Sequence, residues 1–297
     1  MAKTRELKRR IRSVQNTRKI TRTMEMVATS KLKRSQDRVV AARPYAEALK
    51  GVIGDLLTPE LAERYPLLRL PASPAHGGPA AAAVLLITSN RGLAGAFNAN
   101  LIRTARERVA ELEQAGHTVQ LLAVGKKGVK AFQLARRPLA LARIDIGDRP
   151  TAQHALELVE PLAMEFAAAR LASLDVVYAR FRSALSTPPA VMRVLPVEAG
   201  GPARPSAGAP VANYILKPDA DAILAELLPL YVKNQVYRAL VETAAAEHGA
   251  RRTAMKNATD SAGDMLDLLR RTLNRARQAQ ITQEISEIVG GAEALQG

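Results

Sequence analysis

Cysteine and tryptophan are both absent from this 297-residue sequence, and aromatic residues make up only 3% of it. Without thiols, disulfide frameworks, thiolate catalysis and zinc–thiolate sites are excluded, and the composition suits a reducing compartment. With so few rings, the 47% of hydrophobic residues is carried largely by Ala, Leu and Val, which suits closely packed helices. No run approaches the roughly eighteen uninterrupted apolar residues of a membrane span, and the opening MAKTRELKRRIRSVQ has no signal-peptide core. The expectation is a chain soluble on its own, meeting any membrane only through partners.

Recognisable chemistry is also missing. There is no GxGxxG and no Walker phosphate loop. His76, His117, His154 and His248 stand far apart with no i, i+4 pair, so no metal site is expected. Asp145 with Asp148 and Asp264 with Asp267 are paired by spacing, but no base or nucleophile matches them, and solvated charge is the default reading. Two glycine-bearing stretches could cradle a phosphate: TSNRGLAGAFN with Gly92 and Gly95, and Gly125-Lys126-Lys127-Gly128. Both read more simply as turns. The chain shows no self-contained active site, no catalytic residue and no cofactor.

Charge and helical pattern are what the sequence has in abundance. Residues 1–43 hold 14 Lys and Arg against 3 acids, residues 44–218 hold 20 against 14, and residues 219–297 hold 9 against 11. The excess of +15 is therefore concentrated in the first segment. A basic helix can follow nucleic-acid phosphates, lie on anionic lipid or meet an acidic protein surface. No helix-turn-helix, zinc finger or stacking aromatics accompany this one, and its apolar face lacks Trp and Phe anchors. A protein partner is the preferred reading, with a basic coiled-coil nucleic-acid-binding protein as the alternative and a phosphate-binding enzyme ranked last.

Both ends read as long helices. Leu7, Ile11, Val14, Thr21, Ala28, Leu32, Val39 and Ala42 fall on one heptad stripe, with Arg18, Glu25 and Ser35 in its remaining places. Ile20, Met24 and Val27 form a second stripe on another face, where Met24 and Met26 offer an adaptable apolar surface. Pro44 is expected to kink or interrupt the helix, which resumes through Ala48, Val52 and Leu56. The last helix is expected from about Asp219, with a break near Pro229 and a stop at Gly290-Gly291. Its seam reads as Tyr237, Val241, Ala244, Met255, Ala258, Ala262, Met265, Leu269, Ala276 and Ala279, followed by Ile281, Ile285 and Ile288. From Leu230 to Val289 such a helix would extend roughly 90 Å at about 1.5 Å per residue.

Between the ends, strand and helix patterns alternate: AAAAVLLITS, FNANLIRTARERVAELEQA, HTVQLLAVG, KKGVKAFQLA, an extended stretch around PLALARIDI, a helix from Thr151 to Arg170, then LDVVYARF and VMRVLPVE. That order predicts a mainly parallel sheet and an α/β fold: a Rossmann-like three-layer α/β/α domain combined with a long antiparallel coiled coil of the two terminal helices. The expected divisions are a shaft helix at 1–57, a Pro- and Gly-rich linker at 58–79, the α/β domain at 80–198, a flexible connection at 199–218 and the second shaft helix at 219–297.

Three blocks, IRSVQNTRKITRTMEMVATSKLKRSQDR, TSNRGLAGAFNANL and AMKNATDSAGDMLDLLRRTLNRARQAQITQEISEIVGGAEAL, together with PYAEAL and YVKNQVYRALVE, resemble the γ-subunit family of F-type ATP synthases over essentially the whole chain. The resemblance implies a non-catalytic rotor. Its terminal helices form a left-handed coiled-coil shaft inside a ring of three alpha and three beta subunits, and its middle domain sits with epsilon on the membrane c ring. It further implies that Met24 faces a beta subunit near its acidic lever region and that Arg277 and Gln278 contact a beta loop near the top of the shaft. Lys8, Arg9 and Arg10 would face the ring. Location on the cytoplasmic face of a bacterial inner membrane follows. Asn90 stands where the family commonly has an acid before RGL, and the cysteine-bearing regulatory insertion of photosynthetic members is missing.

Overall fold

The computed structural model describes residues 2–56, 64–69, 77, 81–197 and 220–294. The expected connection at 199–218, and that at 58–79 apart from 64–69 and 77, lie outside the described residues. The elements are α1 (Ala2–Leu56), β1 (Ala81–Ile87), α2 (Phe97–Gln114), β2 (Thr118–Val124), α3 (Lys126–Leu134), β3 (Leu141–Arg143), α4 (Ala152–Ala167), β4 (Leu171–Ala179), β5 (Pro189–Leu195) and α5 (Ala220–Ala294). The chain divides into two compact units, residues 29–250 and residues 1–28 with 251–297.

In the larger unit a five-stranded sheet runs in the order β3-β2-β1-β4-β5. The first four strands are parallel and β5 is antiparallel to β4. β1 is a continuous apolar run and holds the central place, because a strand covered on both faces has no polar side to present, and β4 beside it is buried along its whole length. Successive side chains of β1 serve opposite faces. Ala83, Leu85 and Ile87 pack with Leu158 and Leu162 of α4 and with Ile53 and Leu228 of the long helices. Ala82, Val84 and Leu86 pack with Leu101 and Ala105 of α2 and Phe132 of α3. The result is the expected three-layer arrangement. Within the expected extended stretch Leu141–Arg143 joins the sheet, and the carbonyls of Ile144 and Ile146 accept from the Asn90 side chain at 3.0 Å.

Buried Asp175 in β4 escaped the sequence reading. It accepts from Arg108 at 2.9 Å and from Arg193 at 2.9 Å, and this double pairing compensates a carboxylate only 1% exposed.

The helices are not interrupted at Pro44 or Pro229, and the expected stop at Gly290-Gly291 is corrected, because the last helix continues to Ala294. A proline inside a helix costs about 3 kcal/mol. Around exposed Pro44 the buried positions Val39, Ala46, Leu49, Ile53 and Leu56 keep one unbroken heptad phase. Each such side chain contributes about 1.5–3 kcal/mol on burial, so several of them outweigh one lost hydrogen bond and its clash. Leu228 and Val232, each 1% exposed, flank Pro229 in the same way.

In the smaller unit the two helices run antiparallel. The Thr259 hydroxyl donates to that of Thr21 at 2.8 Å, Gly263 faces the Arg18 guanidinium, and Thr4 reaches Gln280 at 3.5 Å, so α1 numbers fall as α5 numbers rise. The α1 seam is the expected one, with Leu7, Thr21 and Ala28 buried. The α5 seam differs by one position in every second place. Met255, Thr259, Ala262 and Leu266 are buried, with Leu269, Leu273, Ala276 and Gln280 half-buried beyond them, whereas Met265 is 53% exposed and Ala279 is exposed. This alternation of four and three is a true heptad, and holding it in a helix of about 3.6 residues per turn requires left-handed winding.

Candidate functional site

The crevice outside the carboxyl ends of β1, β2 and β3 is where an open α/β sheet usually binds a ligand. Here it encloses about 580 Å³, lined by Thr88 to Arg91, Lys126, Ile144 to Pro150, His154 and α5 residues that include Thr243 and Glu247. The backbone donors at the start of α3 are already spent within the chain. The first-turn N–H groups of α3 would have to receive an anion, but Lys126 donates to Asn90 Oδ1 at 2.9 Å, Lys127 to the Ser89 carbonyl at 3.2 Å and Gly128 to Thr88 Oγ1 at 2.9 Å. Gly125 donates to the Arg143 carbonyl at 2.8 Å. The stretch from Gly125 to Gly128 and the loop at 88–90 thus cap one another, which makes both of them turns.

Asn90 is the centre of that junction. Its amide nitrogen donates to two carbonyls and its amide oxygen accepts from α3, a set of bonds that a carboxylate in the same place could not make. An amide at this position thus joins three loops where an acid would repel two carbonyl oxygens.

The carboxylates predicted as a pair serve separate partners. Arg143 donates to Asp145 at 2.8 and 2.7 Å, and this holds the Asp145 carboxyl down at about 2. Asp148 is half-buried. Burial raises its pKa, but a 2.5 Å bond from Lys31 and the charges of His248, Lys31 and Arg91 outweigh burial and leave the carboxyl below its ordinary value. His154 closes a capping box at the start of α4, its Nδ1 accepting from the Thr151 N–H while the Thr151 hydroxyl accepts from the His154 N–H. His76 lies outside the described residues.

The residues implied as contacts lie instead on the helices of the smaller unit. Met24 is half-exposed and lines a shallow groove of about 270 Å³ with Lys19, Ile20 and Thr23. Ile20 at 60%, Met26 at 59% and Val27 at 52% exposure continue that face, which nothing in the described residues covers. Arg277, Gln278, Lys8, Arg9 and Arg10 are exposed, and Arg10 pairs with Glu6 at 2.5 Å. Ile281, Ile285, Ile288 and Val289 are also exposed, so the end of α5 is an apolar surface on a helix otherwise rich in charge. The larger unit thus satisfies the first-turn donors of α3 within the chain, while the helix pair leaves apolar stripes open.

Comparison with known proteins agrees with this distribution. A family model described as ATP synthase matches residues 3–295. The ATP synthase gamma chain of Gemmatimonas aurantiaca is 58% identical over 297 residues, covering all of both chains, and that of Moorella thermoacetica is 46% identical over 99% of this chain and all of its own. Among solved structures, a chain of the Euglena gracilis mitochondrial ATP synthase OSCP/F1/c-ring assembly superposes with a TM-score of 0.69 at 20% identity, covering 99% of this chain and 95% of its own. A chain of the Tetrahymena thermophila central stalk and c-ring gives 0.57 at 22% identity, covering 80% and 99%. No described helix is long and apolar enough to cross a membrane, and the nucleic-acid reading finds no relative among these matches. With uncovered apolar stripes on a heptad-paired helix unit and relatives matched from end to end, this chain belongs to the ATP synthase gamma-chain family.

Proposed function

We propose that the chain is the central rotor stalk of an F-type ATP synthase, coupling ion passage through a membrane c ring to ATP synthesis or hydrolysis in a ring of three alpha and three beta subunits. The carrying observation is the full-length 58% identity to a gamma chain. The chain contributes no catalytic group. Residues 1–57 and 219–297 supply the shaft, and residues 80–198 supply a foot that meets epsilon and the c ring. On this reading the chain sits peripherally on the cytoplasmic face of a bacterial inner membrane.

An asymmetric shaft acts on catalytic sites only through its differential contact with their states. Met24 and its uncovered neighbours give a beta subunit an apolar, low-friction surface. Arg277 and Gln278 give directional hydrogen bonds that transmit force, and Lys8, Arg9 and Arg10 meet the ring electrostatically. The test is the native mass of the complex formed on coexpression with bacterial alpha and beta subunits. One copy with three of each is expected. Recovery as free chain, where a relative's gamma chain assembles in parallel, overturns the reading.

A further inference from the structure

A second charged surface lies in the larger unit, away from the sheet crevice. A groove of about 500 Å³ runs between α1, the loop after β4 and α5, and Arg43, Arg180, Arg182 and Arg238 all line it. Arg238 is neutralised, its Nε donating to Glu242 at 2.7 Å. The other Glu242 oxygen accepts the Phe181 N–H at 3.1 Å, which anchors the loop to α5. The loop is braced internally as well: the Arg180 N–H donates to Pro188 at 2.9 Å, the Arg182 N–H to Ser186 at 3.2 Å, and the Ser183 hydroxyl accepts from Ser186 at 3.1 Å.

Exposed Arg180 and Arg182 thus stand on a fixed base, and among the described residues neither they nor Arg43 form an ion pair with a carboxylate. Three guanidiniums from α1 and a braced loop converge on one groove, opposed in its wall by Glu47 alone once Glu242 is spent. Guanidinium forks match planar carboxylates two bonds at a time. The remaining lining residue, Phe181, is only 7% exposed, so no ring face is offered for stacking a base, which argues against a nucleotide or a nucleic acid. The groove is also many times larger than a single small oxyanion.

We infer that the groove bounded by Arg43, Arg180 and Arg182 is a docking site for an acidic protein segment carrying at least two carboxylates. The inference rests on the proposed function only in taking that segment from a subunit that assembles with this chain.

The absence of cysteine makes a direct test possible. A Leu185→Cys full-length chain, changed at an 86% exposed position of the same loop, carries one thiol for a benzophenone label attached before any partner is added. Irradiation with an octaglutamate peptide at physiological salt should capture the peptide on the 180–188 loop. Adding Arg180→Gln and Arg182→Gln should cut the yield at least about five-fold, since both forks are lost. Millimolar inorganic phosphate and an RNA oligonucleotide should compete poorly. Capture that ignores the two arginines, or that either competitor abolishes as readily as free octaglutamate does, overturns the inference. In the assembled complex the label should attach to a segment with at least two Asp or Glu beside the cross-link, and attachment to a segment without acids overturns it too. If no complex forms, the rotor reading is what fails, and the octaglutamate result alone decides the groove.

Discussion

At Gly125 the backbone takes φ +95°, and a Cβ there would lie 2.2 Å from the Thr88 carbonyl oxygen. A side chain must therefore break the mutual capping of the 88–90 loop and α3. Gly125→Ala should destabilise the chain by at least about 3 kcal/mol, seen as a lowered thermal midpoint. A midpoint unchanged within error would mean that this junction contributes little. Asp148 gives a pH-dependent counterpart. Its carboxyl is held below its ordinary value, so its stabilisation is complete above about pH 4 and disappears as pH falls through the depressed folded value. Thermal midpoints measured from about pH 6 down to about pH 2 should therefore drop less steeply in Asp148→Asn than in the parent chain. Equal slopes would show that the Lys31 pairing carries no net linkage.

At the scale of elements, the heptad phase is what makes the helix pair. Leu266 is 2% exposed in the α5 seam while its neighbour Met265 is 53% exposed, although either residue fits an apolar helical stripe in the sequence. Leu266→Ala should cost about 2–4 kcal/mol by leaving a cavity, and Met265→Ala should stay within about 0.5 kcal/mol. Helical signal at rising temperature separates the two, and equal losses would contradict the seam. The same phase explains why prolines failed as stop signals. A proline costs a fixed local amount, whereas the buried positions on either side of Pro44 act together only if the helix is continuous.

At the scale of the whole molecule, the apolar face around Met24 bears on the proposed rotor rather than on stability. Met24→Lys puts a cation on the half-exposed face beside Ile20 and Thr23, where burial against a partner would leave the charge desolvated or make it a new ionic latch. Ion-driven ATP synthesis in membrane vesicles should fall several-fold while the rate of ATP hydrolysis and the subunit ratio of the recovered complex are kept. Unchanged coupling would remove Met24 from the mechanism. Loss of assembly in place of coupling would make this face a structural seat.

Periodicity and composition were enough, read alone, to place both long helices, the alternating strands of a three-layer domain and the α1 seam, because each is written in local spacing of apolar, basic and breaking residues. Four things were decided only in three dimensions. Whether Leu266 or Met265 faces α1 depends on the antiparallel register, which pairs residues more than two hundred positions apart. The helices pass their prolines because distant packing outweighs a local penalty. Asp175 is buried because Arg108 and Arg193 reach it from neighbouring elements. The N–H groups that follow Gly125 are held by Thr88, Ser89 and Asn90, and which donors are already satisfied is a property of the folded neighbourhood, which no motif records.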